Sequence, residues 1–111
     1  MRSPADQDAL AIFRELSVHN SESALWRLHS LYYARLYAFT LSLVRIKETA
    51  EEIASDVFVD IWERRGLLSD VSRPVAYLFV CARNKALRHL QRPSISWESF
   101  DDLSHLECTL E

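Results

Sequence analysis

Glycine is almost missing from this chain, with one residue in 111, and the prolines number only three. That leaves little material for tight turns and none for a glycine-rich phosphate loop. The two cysteines, Cys81 and Cys108, form neither a CxxC pair nor a zinc-ligand spacing, and they fit a reduced, cytoplasmic setting. The four histidines, His19, His29, His89 and His105, contain no HExxH arrangement. Long apolar runs are absent too. LYAFTLSLV, residues 36–44, is about half of the ~20 residues that a membrane-spanning helix needs, and Arg35 and Arg45 bracket it. The opening MRSPADQD has no signal-peptide character, so the expectation is a soluble protein with no membrane role.

What is present favours helix. Apolar residues make up 49% of the chain and charged residues 26%, enough for one modest core. Leu, Ala, Glu and Arg are abundant, and all are good helix formers. The expected fold is all-α, a compact bundle of about four helices over residues 1–93, followed by an acidic linker or tail over 94–111. Ser3-Pro4-Ala5-Asp6 is a helix start, with Ser3 as cap, Pro4 in the first position and Asp6 complementing the helix dipole. Leu10, Phe13 and Leu16 mark the apolar stripe of this first helix. Asn20 or Ser21 can cap a second helix to about Arg45, on which Leu25, Leu28, Tyr32, Leu36, Phe39 and Leu43 recur at helical spacing. Trp26, Tyr33, Tyr37 and Leu41 widen that stripe, which makes this the central helix, packed on more than one side.

Thr49-Ala50-Glu51-Glu52 reads as a capping box opening a third helix, to about Arg65. Its core face is Ala50, Ile53, Val57 and Ile61, and Trp62 at the edge reads as core packing. GLLSDVSRP, residues 66–74, reads as a loop. A fourth helix then runs to about Gln91 and buries Val75, Leu78, Phe79, Ala82, Ala86 and Leu90. Pro93 stops it.

Charge is distributed in blocks. Between Ile46 and Glu63 there are six acids and one lysine; between Arg64 and Arg92, seven bases and one acid, Asp70; after Pro93, five acids and no Lys or Arg. Such blocks suit two partners of opposite sign, against the alternative of chance clustering on solvated helices. Glu52, Asp56 and Asp60 stack at i, i+4, i+8, but di-iron helical bundles pair such acids with Glu-x-x-His on facing helices, and none is present. Asp102-x-x-His105-x-x-Cys108 offers three ligand types in a tail, short of a metal site. No catalytic constellation stands out and no cofactor is implied, so the chain reads as a binding protein, not an enzyme.

Two faces carry the binding. On the third helix Glu48, Glu52, Ser55, Asp56, Val59, Trp62 and Glu63 point away from the core. Like charges at i, i+4 cost a few tenths of a kcal/mol each, so the pattern suits a basic partner better than it suits stability. On the fourth helix Tyr77, Cys81, Asn84, Lys85, Arg88 and Arg92 fall along one stripe opposite the expected core, with Arg73, Arg83 and His89 at its margins. Lys and Arg neutralise phosphates and Asn makes directional contacts to bases, the ingredients of a nucleic-acid face.

EEIASDVFVDIWERR, residues 51–65, then a short loop, then VAYLFVCARNKALRHLQR, residues 75–92, resembles region 2 of bacterial sigma factors of the extracytoplasmic-function group. Asp56-Val57-Phe58 with Ile61-Trp62, and Ala82-Arg83-Asn84 with Ala86-Leu87, carry the resemblance, which covers about residues 8–92. It implies a compact helical domain whose acidic helix docks on a coiled coil of the largest subunit of core RNA polymerase, through Glu52, Ser55 and Asp56 with Asp60 nearby. Ser55 stands where the family usually has glutamine. It also implies that the fourth helix and the preceding loop engage the promoter −10 element and capture a flipped-out base of the non-template strand. The loop positions are then Leu68, Ser69, Asp70 and Ser72, and the helix positions Arg83, Asn84, Lys85, Arg88 and Arg92. An anti-sigma factor is a further candidate partner.

Nothing after Pro93 could form the helix-turn-helix that reads the −35 element in the family. The alternative function is a helical protein-interaction module with no nucleic-acid role. A duplex-binding repressor is disfavoured, because no compact helix-turn-helix with a glycine-containing turn is visible. Charge complementarity alone suggests that the acidic tail folds back over the basic helix.

Overall fold

Local chemistry sets the helix ends. The computed structural model describes residues 4–91, and all of the secondary structure within that range is helical. Helix α1 spans Pro4–His19, α2 Glu22–Val44, α3 Lys47–Glu63 and α4 Pro74–Gln91, with a 3-10 segment at Arg65–Asp70 between α3 and α4. Of the two candidate caps for α2, Ser21 is the one used, its Oγ accepting from the Ala24 N–H at 3.1 Å. Asn20 instead takes a left-handed conformation (φ 50°) that closes α1, a geometry Asn tolerates. Its side chain is not idle, since Oδ1 accepts from Arg65 Nε at 2.8 Å.

The third helix starts earlier than its sequence suggests. Its N-cap is Ile46, which makes no side-chain cap hydrogen bond, so Thr49 lies inside the first turn and Thr49–Glu52 is not a capping box. The stretch read as a loop, residues 66–74, is part helical as well. Leu68 and Val71 turn inward there and pack in the main core beneath α1. Apolar anchors every third residue suit the tighter 3-10 turn.

Helix α2 is central, as its wide apolar circumference implies. It packs on α1, α3 and α4, burying Ala24, Leu28, Tyr32, Leu36, Thr40 and Val44 in one row at i+4. Leu25, Phe39 and Leu43 lie half-buried beside this row. Full burial of a side chain such as Leu28, Leu36 or Ile61 contributes about 1.5–3 kcal/mol. The phenol of Tyr32 has its pKa raised by burial, an effect that Arg35 opposes, its guanidinium lying 5.4 Å over the Tyr32 ring. Across the bundle, Asp6 of α1 reaches the start of α4 and accepts from the Val75 N–H at 3.3 Å, placing a carboxylate at the positive end of a second helix dipole.

Candidate functional site

Two of the faces expected to bind partners fare very differently once the helices are packed. On α3 the core row is Ala50, Ile53, Ala54, Val57, Phe58 and Ile61. That leaves Glu48, Glu51, Glu52, Ser55, Asp56, Val59 and Glu63 exposed. Among the described residues no salt bridge reaches Glu52 or Asp56. Asp60 is the exception. It is half-buried, and its carboxylate accepts an ion pair from Lys85 Nζ of α4 at 2.6 Å. Glu52, Asp56 and Asp60 run along the helix without converging, and no group of three His, Cys, Asp or Glu among the described residues could hold a metal ion.

Trp62 is half-buried against the main core, as read from its edge position. The Arg65 guanidinium covers its ring at 4.0 Å and donates through Nη1 to the Trp62 carbonyl at 2.7 Å.

The basic stripe of α4 needs correction. Tyr77, Cys81 and Asn84, expected on the outer side, are buried, and Leu90, expected in the core, is 50% exposed. The physical reason is that α4 packs on α1, α2 and α3 at once, so that the flank carrying Tyr77, Cys81 and Asn84 goes inside along with its core row. Tyr77 meets Phe13 of α1 edge to face, with ring centroids 6.1 Å apart. Asn84 is 2% exposed, and its Oδ1 accepts from Arg83 Nη2 at 3.3 Å. It therefore cannot offer an amide to a base in this conformation. Lys85 is tied to Asp60. In the preceding segment Leu68 is 1% exposed and belongs to the core, whereas Ser69, Asp70 and Ser72 lie on the surface. Of the positions expected on the nucleic-acid face, Ser69, Asp70, Ser72 and Arg88 are exposed and Arg83 is half-buried. Arg92 and the tail over 94–111 fall outside the described residues.

A feature of α2 was missed in the sequence. Trp26, expected in the packed stripe, is 62% exposed. Its position lies about 100° around the helix from Leu25, off the stripe centre, which was the available signal. Trp26 forms one wall of an apolar groove of about 370 Å³ between α2 and α3, whose other walls include Leu25, His29, Phe58, Val59 and Trp62. Ser55 and Glu63 line its α3 side.

Comparison with known proteins bears on these faces. The family model for sigma-70 region 2 matches residues 28–94, which include α3, the 3-10 segment, α4 and most of α2. Among curated proteins, the chain is similar to an ECF RNA polymerase sigma factor, RpoE, of Cereibacter sphaeroides, with 27% identity over 86 residues. The match covers 77% of this chain and 48% of the relative, so the chain spans about half the length of that protein. No solved structure matches the chain.

Proposed function

The chain belongs to the sigma-70 region 2 family, and on that premise we propose that it acts in transcription initiation as a non-catalytic domain that binds core RNA polymerase and engages the promoter −10 element. The observation that carries the polymerase half is the outer face of α3. Glu52, Ser55 and Asp56 are exposed on a helix whose opposite side is fixed in the core, and neither carboxylate is spent on a salt bridge with a described residue. Carboxylates left unneutralised on a rigid helix attract a basic partner at low cost, because little side-chain or backbone ordering remains to be done on binding. A coiled-coil arm of the largest polymerase subunit is the partner the family suggests.

The DNA half rests on Ser69, Asp70, Ser72, Arg83 and Arg88, which all lie within the region 2 match and of which all but the half-buried Arg83 are exposed. The burial of Asn84 and the pairing of Lys85 with Asp60 favour a second reading, a protein-interaction module without a nucleic-acid role. One pair of measurements separates them. Asp56→Arg should weaken binding to bacterial core RNA polymerase by about 100-fold or more with helicity unchanged, since it places like charge against a basic partner. Arg88→Ala should leave polymerase affinity intact and weaken capture of single-stranded −10 DNA by the assembled complex, with a shallower salt dependence. Unchanged affinity of the Asp56→Arg chain for polymerase would overturn the docking assignment. Unchanged DNA capture by the Arg88→Ala chain would favour the second reading.

A further inference from the structure

Exposed carboxylates explain attraction, but they do not explain why a tryptophan and a valine stand in solvent beside them. Trp26 and Val59 are 62% and 51% exposed, on facing sides of the groove between α2 and α3. The groove is structurally braced. Trp26 leans edge-on against His29 at 5.7 Å, His29 stacks on Tyr33 at 4.7 Å and tilts against Phe58 at 4.9 Å, and Trp62 is pinned by Arg65. Side chains locked in this way lose little freedom when a partner covers them.

The helical repeat sets the groove and the acids side by side. At about 100° per residue, Phe58, Ser55, Trp62 and Val59 form one row on α3, and Glu52, Glu63 and Asp56 form the adjacent row on its outer side. A ligand that lies along α3 therefore meets an apolar trough and a carboxylate ridge together. The chemistry that fits both is an amphipathic α-helix with a large apolar side chain facing the trough and Lys or Arg about one turn away facing the ridge.

We propose that the Trp26–Val59–Trp62 groove is the apolar half of the polymerase-docking surface and receives a large apolar side chain from a basic helix of that partner, Trp26 being its principal anchor. This rests on the polymerase-docking reading above and deepens it. The carboxylate row steers and orients the partner helix, and the groove holds it. A central aromatic anchor in a desolvated pocket carries a large part of the binding free energy, whereas rim charges mainly set the association rate and its salt dependence.

Three variants of the full chain test this against bacterial core RNA polymerase, with far-UV circular dichroism checking that each is folded. Trp26→Ala should weaken binding by about 30-fold or more, mainly through faster dissociation. Val59→Asp is the discriminating change. It adds an acid, so attraction by charge alone would strengthen binding, whereas the loss of an apolar wall should weaken it. Leu67→Ser removes an exposed apolar side chain outside the groove and should change nothing. Wild-type affinity for Trp26→Ala, or tighter binding by Val59→Asp, overturns the inference while leaving the docking reading to stand or fall on Asp56→Arg. Sedimentation decides the competing occupant: concentration-dependent dimerisation of the wild-type chain that Trp26→Ala abolishes would assign the groove to a second copy and overturn the proposal.

Discussion

Helices α3 and α4 carry charge of opposite sign and look equally amphipathic in the sequence, yet the bundle treats them in different ways. Helix α3 is buried along one row, Ala50 to Ile61, and its carboxylates stay in solvent. Helix α4 touches all three other helices, and roughly half of the stripe that looked like its outer face goes inside. A polar residue on a helix packed on one side is free to serve a partner. On a helix packed on three sides, the same kind of residue is recruited into the fold. The carboxylates of α3 thus lie in solvent, whereas of the two arginines on the expected nucleic-acid stripe of α4 only Arg88 is exposed and Arg83 is half-buried.

The sharpest way to break this contrast is to truncate Tyr77. As part of a surface nucleic-acid face it would be nearly neutral for stability. Buried against Phe13 and the main core, it should cost about 3 kcal/mol when changed to alanine, measured by urea unfolding. The matched surface change, Arg88→Ala, should stay within about 0.5 kcal/mol. A stability loss below about 1 kcal/mol for Tyr77→Ala would mean that α4 is less enclosed than described, and would return its aromatic residue to the binding face.

The same contrast explains what could be read from the residues. The core of α3 was legible because a helix with one buried side repeats its apolar residues at a single phase; Ala50, Ile53, Val57 and Ile61 were all identified and all are buried. The central position of α2 was legible from its circumference, although its buried row also runs through Ala24 and Thr40, a small and a polar residue that apolar counting passes over. Helix α4 was misread because periodicity reveals where the centre of an apolar stripe lies, not how wide an arc the neighbours enclose. Tyr77, Cys81 and Asn84 sit on the flank, where burial depends on tertiary packing. Leu68 was assigned to a loop surface because neither glycine-rich turns nor helical periodicity distinguish an inward-facing 3-10 residue from an exposed one. Trp26 is misread for the opposite reason, since an aromatic residue near an apolar stripe is assumed to join it.

The link between the two helices is Asp60 with Lys85, and it offers a middle-sized test. Their side chains are 33% and 23% exposed, so the pair is partly screened and its coupling should be modest. A double-mutant cycle with Asp60→Asn and Lys85→Met should give a coupling of about 0.5–1 kcal/mol, shrinking as salt is raised. If Lys85→Met also weakens capture of −10 DNA as strongly as Arg88→Ala does, then Lys85 serves the ligand as well as Asp60, and the division between a structural and a binding flank of α4 has to move by one helical position.

The smallest expected effect concerns the polar side chains that the three-sided packing encloses. Thr40 of α2 and Asn84 of α4 are buried on helices that pack together. Thr40 Oγ1 and Asn84 Nδ2 find no hydrogen-bond partner among the described residues. A buried hydroxyl without a partner forfeits its bonds to water and gains nothing in return. Threonine in a helix commonly bonds back to the carbonyl four residues earlier, but Thr40 does not. Replacing it with the similarly shaped valine therefore removes a desolvation penalty and keeps the packing. Thr40→Val should leave stability unchanged or raise it by up to about 1 kcal/mol, a shift of roughly 4–8 °C in Tm for a domain of this size. By contrast, Glu52→Gln on the outer face of α3, where the carboxylate is already solvated, should move Tm very little. A clear loss of stability in Thr40→Val would show that the hydroxyl is satisfied within the α2–α4 interface. The enclosed polar groups of α4 would then form a structured network, and the contrast with the open face of α3 would be deeper than burial alone implies.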